Sequence, residues 1–204
     1  MRKLVVATFA TLDGVMQAPG GPDEDREGGF EHGGWSVPYW DEMMGGVADE
    51  QMTGASAMLL GRKTYDIFFA HWPKVGNDDP MAAYINNVDK YVASRTMESA
   101  EWGNTTVISD VPTEVARLKD QPGGEIGVPG SSNLIQSLLK HDLVDEFRIW
   151  TFPIVLGTGK RLFGDGVMPA GLKLTDTKVS TTGVIMQTYE RAGEVNYGSF
   201  ALDS

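Results

Sequence analysis

The sequence predicts an α/β protein with a mostly parallel central sheet, helices on both faces and an antiparallel C-terminal edge. Two observations carry this. Short apolar, β-branched runs alternate with segments of helical spacing from residue 4 to about residue 140. The last third instead places strands in succession, ending in a hairpin over 173–179 and 184–190 around Ser180-Thr181-Thr182-Gly183. Alternation needs crossover helices that cover a parallel sheet, while strands in series close as antiparallel neighbours. Ligands in such sheets bind beyond the carboxyl ends of the strands, so the informative residues are expected just after each strand.

The elements follow in order. Leu4–Phe9 reads as a buried strand, and Asp13-Gly14 as a turn. Residues 18–34 are rich in Gly, Pro and acid and read as a long, poorly packing loop, functional or mobile. Residues 38–52 carry Trp40, Met43, Met44 and Val47 at helical spacing, weakened by Gly45-Gly46. Ala57–Leu60 is a strand ending at Gly61. A helix then starts at Lys63 or Thr64 and stops at Pro73. Residues 80–87 suit a short helix, and 90–93 and 105–108 suit strands. A helix over 112–119 has Pro at its first position, where the missing amide costs nothing. Residues 125–128 form a strand broken by Pro129-Gly130. Ser131 or Ser132 then caps a helix carrying Leu134, Ile135, Leu138 and Leu139. Residues 147–156 form a long strand interrupted by Pro153. No repeat or linker divides the chain, so one domain is expected over 1–195 with a tail over 196–204.

The 204 residues contain no cysteine, which removes disulfides, thiolate nucleophiles and cysteine-held metals, and fits a cytoplasmic location. The opening MRKLVVATFATLDG is read as a first strand rather than a signal peptide, because its apolar run stops early without a cleavage motif. No stretch approaches the roughly 20 apolar residues that span a bilayer. A net charge of −11 repels phosphate backbones, so neither nucleic acid nor membrane is expected as a partner. His32, His71 and His141 are scattered without ligand spacing, so no metal is expected. The absence of G-x-S-x-G disfavours a serine hydrolase.

Within this acidic chain, three strand-to-helix or strand-to-loop junctions gather basic and hydroxyl groups. Gly61-Arg62-Lys63-Thr64 places a glycine, two cations and a hydroxyl at a helix start, where free amides and the helix dipole favour an anion. Ser94-Arg95-Thr96 offers two hydroxyls and a guanidinium, a donor set suited to a phosphate monoester. Pro129-Gly130-Ser131-Ser132-Asn133 turns directly from a strand into a helix and suits a pyrophosphate. Each taken alone is also compatible with ordinary solvated surface, Ser94-Arg95-Thr96 most of all.

Together these motifs resemble the dihydrofolate reductase superfamily, whose three-layer fold is then expected. LVVATFATLDGVM is similar to its first strand and loop, and LLGRKTYD to its strand–Gly-Arg-x-Thr–helix motif. YVASRT and EIGVPGSSNLIQSLL follow at matching spacing. LVDEFRIWTFPIVLGTGKRLF most resembles the branch containing the reductase domain of riboflavin biosynthesis, the RibD C-terminal domain. The resemblance implies NADPH as cofactor. Ala7 and Thr8 would lie near the nicotinamide amide. Gly61, Arg62, Lys63 and Thr64 would hold phosphates. Ser94, Arg95 and Thr96 would hold the 2′-phosphate, and Gly130, Ser131, Ser132 and Asn133 the pyrophosphate. Dihydrofolate reductases commonly carry Gly-Gly with a cis peptide at the last junction, whereas this chain has Pro129-Gly130.

The implied reaction is hydride transfer to a small heterocycle, either pterin-like, such as dihydrofolate, or 5-amino-6-ribosylaminouracil phosphate-like. Two acids are candidates for the substrate side, Asp41 after the long loop and Asp13 in the Leu-Asp-Gly motif, each with a plain structural alternative. Trp35, Tyr39 and Trp40 line a substrate pocket or fill the core. Gly157–Arg161 forms a pocket mouth or a surface turn. The edge near 145–156 with the hairpin offers a homodimer surface. A binding module that keeps the fold without turnover is the competing reading.

Overall fold

Leu4, Val5 and Val6 are fully buried, which places β1 (Leu4–Thr11) in the middle of the sheet. It pairs in parallel with β5 (Glu125–Pro129) on one side and β6 (Glu146–Phe152) on the other. Beyond β5 lie β2 (Ala55–Gly61), β3 (Asp89–Ala93) and β4 (Thr105–Ile108), all parallel. Beyond β6, β8 (Ile185–Arg191) and the outermost β7 (Leu172–Val179) run antiparallel. The order is β4-β3-β2-β5-β1-β6-β8-β7. The computed structural model describes residues 1–76 and 78–201, without the side chain of Thr53; the last three residues of the expected tail, 202–204, lie outside the described residues.

Alternate side chains of each strand feed opposite cores, as the two-residue period of a strand requires. Ala57 and Leu59 of β2 join Leu4, Val6, Ile126 and Val128 beneath α4 (Val111–Lys119) and α5 (Ser132–Lys140). Met58 and Leu60 face the other way, onto Tyr65 of α2 (Arg62–His71) and Ile85 of α3 (Pro80–Asn87). Met44 and Val47 of α1 (Glu42–Gly54) pack on Trp150, Phe152 and Met186. The result is helix, sheet, helix: the expected α/β architecture with its antiparallel edge. Among the described residues, no helix is long and apolar enough to cross a membrane.

Three local expectations are corrected. The helix expected over 38–52 divides into a short 3-10 turn at Val37–Tyr39 and α1, separated by Trp40 in an extended conformation. The Asp41 carboxylate accepts the Met44 amide at 2.9 Å, so capping resets the helix start. Trp40 meanwhile leaves the helical face and stacks on Trp150, with 5.9 Å between ring centroids. Second, α4 begins at Val111 behind the Asp110 cap, leaving Pro112 within its first turn but not at its first position. Third, the strand expected over 147–156 ends at Phe152, since Pro153 has no amide to continue the ladder, and it is interior because β8 covers its outer side. The edge strands of the sheet are β4 and β7, so of the surface expected to support a homodimer only the hairpin lies at an edge.

Candidate functional site

The chain leaves β2 to one face of the sheet through α2, and leaves the neighbouring β5 to the opposite face through α5. This divergence opens a crevice at the carboxyl ends of the strands. A cleft of about 1120 Å³ lies there, reaching from the end of β3 across β2 and β5 to β1. Ala7, Thr8, Gly61, Arg62, Lys63, Thr64, Ser94, Arg95, Gly130, Ser131, Ser132 and Asn133 all line it, so the three junctions meet in space. Thr96 does not line the cleft. It borders the adjoining groove with Arg62, Tyr65 and Met97.

Ser131 explains how the two central junctions are locked together. It sits at the N-cap position of α5 in the left-handed region, φ 69°, yet its side chain does not cap the helix. Its hydroxyl accepts the Gly61 amide at 2.9 Å and donates to Thr64 Oγ1 at 2.7 Å. Gly61 eases this approach, because a Cβ there would meet Ser131 Cβ and Oγ at a tight 3.3 Å. Gly61 is also the N-cap of α2 and supplies no side-chain cap. Both helices therefore present first-turn amides to the cleft without a side-chain cap, with the positive ends of their dipoles. Gly130 completes the turn at φ 65°, and its amide reaches the Ala7 carbonyl at 3.3 Å. Among the described residues no peptide bond is cis.

At the β3 end, Ser94 Oγ accepts the amides of Thr96 and Met97, which shapes the turn and leaves its proton to donate. Arg95 is exposed and, among the described residues, makes no hydrogen bond or ion pair. Arg62 differs: its Nε lies 2.9 Å from both carboxylate oxygens of Asp66.

The long loop, expected to pack poorly, is instead tied down over the cleft. Buried Gln17 donates to the carbonyls of Asp25 and Glu27 and accepts the Lys160 amide. Phe30 and Trp35 are buried, and the Trp35 indole donates to the Gln17 carbonyl. Lys63, expected to hold phosphate, is paired with Asp25 at 2.6 Å and Glu27 at 3.0 Å. Lys160 binds the same two carboxylates at 2.7 and 2.5 Å. Burial pushes the Asp25 carboxyl up, but hydrogen bonds from Lys160 and Lys63 outweigh it and hold the group at about 2. Glu24 also lines the cleft, and burial pushes its carboxyl up despite the amides of Gly20 and Gly21 on one oxygen.

Neither acid expected on the substrate side reaches the cleft. The Asp41 carboxylate caps α1 and accepts the Thr181 amide at 2.8 Å and hydroxyl at 2.7 Å, pinning the β7–β8 turn. Asp13 accepts the Thr11 hydroxyl at 2.6 Å and the amides of Leu156 and Gly157. The Thr11 hydroxyl and these amides hold it at about 2 against the effect of burial. Of the aromatic candidates, Trp35 is core and Tyr39 packs edge-on against Phe152, while Trp40 stacks on Trp150 beside Phe9, which lines the cleft. Of the Gly157–Arg161 turn, Lys160 lines the cleft. Gln17, Glu24, Asp25 and Glu27 were not singled out from sequence; the available signal was an acidic loop in a chain whose strand junctions are basic.

Comparison with known proteins agrees with this architecture. Two curated relatives from Bacillus subtilis (strain 168) are full-length matches: uncharacterized protein YyaP, 29% identical over 94% of this chain and 96% of its own length, and uncharacterized protein YwjB, 28% identical over 87% and 91%. Among solved structures, a putative riboflavin biosynthesis protein from Shewanella sp. PV-4 superposes with a TM-score of 0.69 at 24% identity, covering 93% of this chain and 98% of that one. A pyrimidine reductase-like protein from Corynebacterium diphtheriae gives 0.60 at 14% identity, over 95% and 93%. Dihydrofolate reductase from Enterococcus faecalis, complexed with NADP(H) and RAB-propyl, gives 0.60 at 13% identity, over 93% and 96%. The model of the RibD C-terminal domain matches residues 2–188, nearly the whole of the sheet and its helices, and the chain belongs to that family, with a dihydrofolate reductase-like fold.

Proposed function

We propose that the protein is an NADPH-dependent reductase of a small heterocycle. The observation that carries this is the meeting of two side-chain-uncapped helix N-termini and the unpaired Arg95 along one cleft. The first-turn amides of α2 and α5 suit the pyrophosphate of a dinucleotide. Arg95, with the Ser94 hydroxyl, suits the additional 2′-phosphate that separates NADPH from NADH. Thr8 and Phe9 form the far wall, where a flat ring fits beside the Phe9 side chain. NADPH, when bound, supplies the hydride. The residues around it hold the two rings together, exclude water and protonate the reduced nitrogen. Glu24 is the carboxyl suited to that last role, since it faces the cleft and burial favours its protonated form.

A second reading, binding without turnover, is favoured by the diversion of both Asp13 and Asp41 to structural contacts. One experiment with two arms tests the function. In the binding arm, NADPH raises the melting temperature at submillimolar concentration and NADH does so far less; no shift with either removes the cofactor assignment. In the turnover arm, NADPH oxidation at 340 nm is followed across pterins and aminouracils. Turnover that falls in Glu24→Gln while the NADPH shift persists supports the reductase. Binding with no turnover on the whole panel supports the second reading.

A further inference from the structure

We propose that the substrate of this site carries no phosphate and is a neutral or weakly basic, hydrogen-bond-donating heterocycle, because the acidic loop has already claimed the cations at the substrate end of the cleft. The inference rests on the reductase reading above and narrows it to a substrate class.

Four basic side chains line the cleft: Arg62, Lys63, Arg95 and Lys160. Arg62 is held by Asp66. Lys63 and Lys160 are each shared between Asp25 and Glu27, forming a clasp that joins the loop, the start of α2 and the 157–161 turn. That leaves Arg95, at the β3 end, where the cofactor reading already places a phosphate. Around β1 and the loop, the Asp25 and Glu27 carboxylates stand against the two ammonium groups, with the Glu24 carboxyl beside them. The surroundings there are neutral to negative, within a protein of net charge −11.

A phosphate monoester brings a charge of about −1.5 to −2. Two of the three N–H donors on each of Lys63 and Lys160 are taken by Asp25 and Glu27, so a phosphate that reaches the third lies directly beside both carboxylates. The Asp25 side chain is only 10% exposed, so its charge is poorly solvated and faces the phosphate. Like charges at such range in a partly dry site are strongly disfavoured. A ring whose edge donates hydrogen bonds meets no such barrier and finds acceptors in these same carboxylates.

The test compares pairs differing only by phosphate, such as a ribitylaminouracil and its 5′-phosphate, or a pterin alcohol and its phosphate. Binding is measured calorimetrically to the NADPH-saturated protein. The unphosphorylated member is expected to bind at least tenfold more tightly. In the double variant Asp25→Asn, Glu27→Gln, which frees both lysines, the phosphorylated member is expected to gain at least tenfold. Tighter binding of the phosphorylated member by the unaltered protein overturns the proposal, as does the absence of any gain in a folded double variant. Failure of every pair to bind overturns it as a statement of substrate class. If the double variant does not fold, the preference of the unaltered protein decides alone. The NADPH melting shift is read separately, so loss of this proposal and loss of the reductase reading are distinguishable.

Discussion

At the scale of single residues, the proposed preference for NADPH over NADH turns on Arg95. Its guanidinium is unpaired among the described residues, while Lys63 and Arg62 nearby are ion-paired. A hydrogen bond to a charged group is worth about 1.5–3 kcal/mol, and each 1.4 kcal/mol is about tenfold in affinity. Arg95→Met is therefore expected to weaken NADPH binding roughly 10- to 100-fold and to leave NADH binding within about twofold. Titration of both nucleotides against cofactor fluorescence checks this. Equal losses for the two would show that Arg95 does not read the 2′-phosphate. Ser131 illustrates the same division of labour. By spending its hydroxyl on Gly61 and Thr64, it holds two junctions in register and leaves the amides of its own helix for a ligand.

At the scale of elements, Asp41 couples α1 to the β7–β8 hairpin through Met44 and Thr181, and Thr182 adds a hydrogen bond to the Tyr39 carbonyl. Asp41→Ala removes both anchors and is expected to lower the melting temperature by roughly 2–4 °C, typical for the loss of one cap in a chain of this size. The NADPH shift is expected to be unchanged. A selective loss of turnover at unaltered stability would instead return Asp41 to the chemistry. The residue also shows what local sequence can and cannot reveal. Strands and helices were legible wherever the boundary signal is local: Gly61 before α2, Pro80 at the start of α3, Pro129-Gly130 at the end of β5. The start of α1 was not, because Trp40 has helical spacing but finds its partner in Trp150, 110 residues away. The three junctions were legible because each gathers anion-suited groups within four residues: a glycine, two cations and a hydroxyl at 61–64, two hydroxyls and a guanidinium at 94–96, a glycine and two hydroxyls at 130–133. The clasp was not, because its chemistry arises only when Asp25 meets Lys63 and Lys160, 38 and 135 residues away.

At the scale of the whole molecule, the acidic surface and the clasp set how stability responds to pH. Asp13 and Asp25 are held at about 2, below the ordinary 3.8. A carboxyl whose value is depressed on folding stabilises the protein above the unfolded value, and that contribution is lost as pH falls toward the folded one. Both contributions are thus complete above about pH 4 and disappear toward pH 2. Linkage allows about 2.5 kcal/mol for each, and solvent screening at partly open sites reduces this to about 1 kcal/mol. Glu24 acts in the opposite direction. Burial raises its value, so its charge destabilises the fold at neutral pH, and protonation relieves that cost as pH falls toward its ordinary range. The two effects oppose each other. Stability is expected to fall steeply between pH 4 and 2, where the contributions of both depressed carboxyls are lost. Urea unfolding at half-unit pH steps checks this, with Asp25→Asn as the comparison. The variant is expected to be less stable at neutral pH and to show a shallower acid slope, because the loop no longer carries its most strongly depressed carboxyl. An unchanged slope would mean that the clasp contributes nothing to the folded state. A steep loss already between pH 6 and 5 would place the acid sensitivity in groups other than these.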